Sequence, residues 1–194
     1  MDTTVSVLGL EFLAISHNPD MNLAVNTRSD EAAFHAELQG EDVLGVVVRA
    51  HIRVELCLNE LIEALGADPR HVDKMNLDFA QRVHLALALG LSDSYSSALL
   101  AMGALRNKFA HQADARLGKQ EINNLYKSLS SDDRNVVVQA YERTKKQLGR
   151  EEMPVFRKLD PKDQLVFIAI GLRAALDIAI RQSSRSTNLN RGQV

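Results

Sequence analysis

The sequence predicts an all-α fold, a single-domain bundle of about five to seven helices. Three observations carry that expectation. Apolar residues recur at spacings of three and four along most of the chain, the period of a helix with one face on a core. Aromatic content is 5%, there is no Trp, and the alternation typical of strands is nearly absent. Finally, Gly and Pro fall where the periodic stretches stop, as helix ends require.

Taken in order, residues 1–28 have no clean period and are read as an N-terminal extension of uncertain structure. The bundle domain is assigned to 29–182. Ser29 or Asp30 caps a short helix through Leu38, which Gly40 ends. The first long helix runs from about Glu41 to Leu65, with Val43, Val47, Ala50, Val54, Leu58 and Leu61 inward. Leu44, Val48, Ile52 and Leu56 widen that stripe, so burial on two sides is expected over its first half. A second helix covers about Asp78 to Leu89, with Val83 and Ala86 inward. A third, capped by Ser92, carries Ala98, Met102, Leu105 and Phe109 on one face and ends near His111. Two more follow, over about 119–129 and from Asp132 to Leu148 with Gly149 as stop. Residues 150–159 read as a loop. Asp160-Pro161 then opens the last long helix, with Leu165, Ile168, Leu172 and Leu176 inward, and 183–194 is a polar tail expected to be disordered.

Composition limits the function classes. The chain has 194 residues, 45% of them hydrophobic and 25% charged, in the range of a soluble globular domain. Its longest apolar run, Leu165 to Leu172, is stopped by Arg173, well short of the roughly 20 residues of a membrane helix. No secretory leader is recognised, and a cytoplasmic location is expected. The single cysteine, Cys57, excludes an internal disulfide and lies in an apolar helical stretch, so it reads as core. Net charge is −2, but residues 1–42 hold eight acids against Arg28 alone, a balance of −7 that leaves +5 for the remainder. A local basic surface for RNA is compatible with that asymmetry.

Walker, GxGxxG, GxSxG and HExxH motifs are absent, as is a recognisable helix-turn-helix. No cofactor or metal is expected. Of the histidines, His17, His35, His51, His71 and His84 read as surface or satisfied core residues. The remaining one, His111, closes the segment LRNKFAH, five positions after Arg106. Asn107 and His111 are four apart, hence on one helix face. Histidine accepts and donates protons near neutral pH, and an arginine fork holds a phosphate and stabilises its growing charge. Together, without metal, they suit cleavage of RNA by its own 2′-hydroxyl. Such a reaction profits from both an acid and a base, which a two-fold dimer would supply. The same pair also suits a plain helix end, since Arg and His near a C-terminus complement the dipole.

LRNKFAH resembles the Arg-x4–6-His motif of the HEPN superfamily, with its polar residue just after the arginine. That resemblance implies an all-α, HEPN-like fold and a metal-independent ribonuclease, in that superfamily often a toxin or defence effector, with a composite site at a homodimer interface. It implies catalytic roles for Arg106 and His111 and a supporting one for Asn107. It also suggests Glu55 as an assisting acid on an earlier helix, although Arg49 and Arg53 are alternative ion-pair partners for that carboxylate. A wider segment, about residues 34–112, is similar to the mannitol operon repressor (MtlR-like) family, in helix order and in the cadence LALGL…LL…LRN. This second resemblance implies regulation through protein contacts without catalysis. The expected partners are therefore RNA and a second copy, or else an antitoxin or regulatory protein, with no membrane.

Overall fold

A computed structural model describes residues 33–38, 40–147 and 149–191. These residues contain eight α-helical segments and no strand, so the all-α expectation holds. The extension read over 1–28 lies outside them. Helix α1 covers 33–38 and α2 covers Val43–Ala64, whose first turn is closed by Asp42 accepting from the Gly45 amide at 2.7 Å. A four-residue helix, α3 (Pro69–Val72), leads through a 3-10 turn to α4 (Phe79–Ala88). Asp78 and Gln81 form a capping box at the start of α4, each side chain accepting from the other residue's amide at 2.9 Å. The order continues with α5 (Ser96–His111), α6 (Lys119–Ser128), α7 (Ser131–Gln147) and α8 (Pro161–Arg191).

Two differences from expectation concern helix ends. α3 occupies a stretch expected only to terminate the long helix, because Pro69 at N1 and the Asp68 cap start a new turn at once. α8 runs to Arg191, past the boundary drawn at 182. Neither Gly nor Pro occurs between Gly171 and Gly192, so the local sequence offers no stop. Where a stop is present it acts: Gly90 takes φ +115°, a left-handed conformation, and α4 closes with the Leu91 amide donating to Ala86.

The frame is α2 lying parallel to α8. Lys162 Nζ donates to the Glu41 carbonyl at 2.6 Å near their starts, and Cys57 Sγ lies 3.7 Å from Asp177 Oδ1 four turns on. Val46, Val47, Ala50, Val54 and Leu58 of α2 and Leu165, Ile168, Ala169, Leu172 and Leu176 of α8 are all buried. Cys57 is core, as expected, and burial pushes its thiol up to about 12. Helices α4 and α5 cover one side of α2, α6 bridges α5 and α8, and α7 lies on α8. The loop after α7 folds inward: Phe156 is buried with ring centroids of Tyr126, Tyr141 and Phe167 at 5.6, 6.0 and 6.5 Å. Tyr141 donates its hydroxyl to the Pro154 carbonyl, which pins that loop.

α1 inserts Phe34 and Leu38 into the core, with the guanidinium groups of Arg53 and Arg173 at 5.8 and 5.3 Å from the Phe34 ring. Beside Phe34, His35 is also buried and its Nε2 has no hydrogen-bond partner among the described residues. Desolvation lowers its pKa from the ordinary histidine value. The fold therefore favours the neutral ring. Above about pH 6.5 folded and unfolded chains are both mostly neutral there, whereas below it the unfolded chain takes up a proton more readily than the native state. Unfolding free energy is expected to fall as pH drops below that value, with a shallower decline in His35→Leu. Denaturant titrations across pH check this, and identical slopes would refute it.

Burial on two sides of α2 is not observed. Leu44, Ile52 and Leu56 are 49%, 48% and 48% exposed. Residues spaced by four advance about 40° per step around a helix, so this row walks away from the faces that α4, α5 and α8 cover. The result is an exposed apolar stripe along the outer side of α2.

Candidate functional site

The end of α5 is held firmly. Leu105 and Met102 anchor it in the core, and the Lys108 ammonium pairs with Glu121 Oε1 of α6 at 2.6 Å. Glu121 also accepts from the Gly118 amide at 3.0 Å; first the Lys108 hydrogen bond, then its amide bonds, hold its carboxyl below the usual range. Gln112 leaves the helix in an extended conformation while its amide still donates to Lys108 O.

Three of the four candidate residues sit on this anchored end and separate into two directions, while Glu55 lies on α2. Asn107 and His111 are exposed to solvent, on the same helix face, with His111 the last residue of α5. Five residues turn a helix by about 500°, which leaves Arg106 roughly 140° from His111 around the axis. Among the described residues no hydrogen bond or ion pair joins those two. Arg106 Nη1 donates to Asn107 Oδ1 at 3.1 Å, and no carboxylate among the described residues pairs with its guanidinium.

Arg106 instead shares an electrostatic neighbourhood with α2. There His51 is buried, its ring 4.4 Å from that of Phe79 and its Nδ1 3.7 Å from Glu55 Oε2. Burial lowers the His51 pKa most; Glu55 works against that shift and Arg106 works with it. Gly103 makes room for this arrangement, since a Cβ at that position would fall 2.7 Å from Phe79 Cδ1. Asn59 extends the polar row one turn further and receives Arg82 Nη1 of α4 at 2.9 Å. His51, Glu55 and Asn59 thus follow one another at four-residue spacing, with arginines approaching from α4 and α5.

Glu55 is not the partner of Arg49 or Arg53. Arg49 pairs with Glu37 at 2.9 Å and Glu41 at 2.7 Å, and Arg53 pairs with Glu37 at 3.2 Å. The exposed side of α2 carries those arginines toward α1, which leaves Glu55 to His51. His51 is buried, as a core histidine was expected to be, but no hydrogen bond to its ring is formed among the described residues and its charged neighbour is Glu55. Its signal in the sequence was the His-x3-Glu spacing on a helix.

Among the described residues, no three His, Cys, Asp or Glu side chains gather as a metal ion would require, and no helix is long and apolar enough to cross a membrane. No family model, curated protein or solved structure matches the chain.

Proposed function

We propose that this protein is a metal-independent endoribonuclease of the HEPN type, acting as a homodimer, with a toxin or phage-defence role. The observation that carries this reading is Arg106: an arginine without a carboxylate partner among the described residues, on a helix end fixed by its neighbours, with Asn107 beside it. A guanidinium so placed has donors left for a phosphate. Its own 2′-hydroxyl is the nucleophile of the RNA. That oxygen loses its proton to a base and attacks phosphorus, the P–O5′ bond breaks, and an acid protonates the leaving oxygen. The products are a 2′,3′-cyclic phosphate and a 5′-hydroxyl. Arg106 neutralises the phosphorane, and His111, exposed at the helix end, is the acid available to the leaving group.

The test is incubation of wild type and His111→Ala protein with RNA in EDTA. Cleavage by wild type alone, leaving cyclic phosphate ends, is the expected result. Equal cleavage by both proteins, or by neither, would sink the proposal.

A second reading, regulation through protein contact as in MtlR-like proteins, is favoured by the apolar stripe of α2. Leu56→Glu separates the two. A catalytic homodimer seated on the stripe is expected to become monomeric in sedimentation velocity and to lose cleavage. A regulator shows no cleavage in wild type, and the substitution costs it a different, co-purifying protein.

A further inference from the structure

A single histidine per chain leaves the reaction short of either its acid or its base, which is why a second copy was invoked. The fold supplies a second imidazole within one chain. His51 projects from α2 into the neighbourhood of Arg106, and it is a buried side chain able to exchange a proton. Glu55 stands one turn away on the same helix, 3.7 Å from Nδ1. That distance exceeds a hydrogen bond but suits an ion pair once the ring is charged. A carboxylate at Nδ1 favours the tautomer with its proton on that nitrogen, so Nε2 is left with the lone pair. Phe79 packs against the ring at an interplanar angle of 50°, and Gly103 lets α5 come close enough to bring Arg106. The charged groups facing His51 are Glu55 from α2 and Arg106 from α5; α4 contributes the apolar Phe79 ring.

Resting on the ribonuclease reading, we propose that each protomer holds its own phosphate-and-base pair: Arg106 takes the phosphoryl oxygens and His51, oriented by Glu55, takes the 2′-hydroxyl proton. The pair works with His111 as acid. The proton passes from O2′ to Nε2 as O2′ bonds to phosphorus, and the imidazolium is then stabilised by Glu55. A neutral imidazole is what this role requires, and burial together with the Arg106 charge favours it, against the opposing pull of Glu55. Because His111 lies roughly 140° around α5 from Arg106, the second copy brings its own His111 as the acid, while each protomer supplies its own base.

Histidine Cε1–H signals of the full chain, followed by NMR against pH, test the pair without reference to cleavage. The His51 signal is assigned by its loss in His51→Gln. Glu55→Gln is expected to move its midpoint to lower pH and Arg106→Gln to higher pH. Inorganic phosphate is expected to raise the midpoint in wild type and leave it in place in Arg106→Gln. A His51 midpoint indifferent to both substitutions and to phosphate would overturn the proposal. In the cleavage assay, His51→Gln is expected to lower kcat by about 10²–10⁴-fold and to remove the acid limb of the pH profile. A folded His51→Gln protein that keeps the wild-type profile would overturn it as well. Absence of cleavage by wild type with the phosphate effect intact would instead remove the ribonuclease reading and leave Arg106–His51 as an anion site.

Discussion

Replacing Arg106 with alanine is expected to lower RNA cleavage by about 10²–10³-fold, the size of effect seen when one preorganised donor to a developing oxyanion is removed. The loss should appear in kcat more than in KM, because the interaction strengthens as charge builds on the phosphorane. Arg106→Lys retains the charge without the two-pronged geometry and is expected to fall between alanine and wild type. Folding is the control. Arg106 has one hydrogen bond, to the exposed Asn107, and no carboxylate partner among the described residues, so its removal is expected to change stability by less than about 1 kcal/mol. Cleavage assays beside thermal melts of the three proteins decide it. Unchanged kcat in a folded Arg106→Ala protein would remove the catalytic role.

Phe156→Ala is the substitution expected to cost most stability, about 3–5 kcal/mol. Its ring is fully buried among Tyr126 of α6, Tyr141 of α7 and Phe167 of α8, and it joins those three helices from a loop. Collapse cannot fill the void readily, since Tyr141 is tied to Pro154 through its hydroxyl and Phe167 is fixed in the long helix. A domain stable by about 5–15 kcal/mol would lose a large share of that margin. Urea denaturation of wild type and variant measures it. A loss below about 1 kcal/mol would mean that the aromatic cluster repacks.

Much of the fold was legible because each long helix announces its buried face locally. Val47, Ala50, Val54 and Leu58, or Leu165, Ile168, Leu172 and Leu176, need only helical periodicity to be assigned inward, and all are buried. What the sequence concealed depends on contacts between distant segments. Leu44, Ile52 and Leu56 look like core until one knows that no neighbour in the described fold covers their side of α2. Arg49 and Arg53 sit within two turns of Glu55 on the same helix, yet α1 brings Glu37 to them and outcompetes it. Arg106 and His111 were legible as a spacing, but the side that Arg106 turns to, and the presence of His51 there, follow from how α5 crosses α2. Helix geometry alone gives the angle between two residues and not what stands opposite.

The pairing of α2 with α8 also shapes how the chain reaches its folded state. Glu41 meets Lys162 and Cys57 meets Asp177 across separations of 121 and 120 residues, so the central contact is among the most distant in sequence. Closing so large a loop is entropically costly, and such contacts slow folding. On the ribosome, α2 emerges long before its main partner and must wait with its apolar face uncovered until the last helix has been made. Maturation therefore waits on the synthesis of α8, and release of any fragment lacking α8 would leave a chain prone to aggregation and to proteolysis.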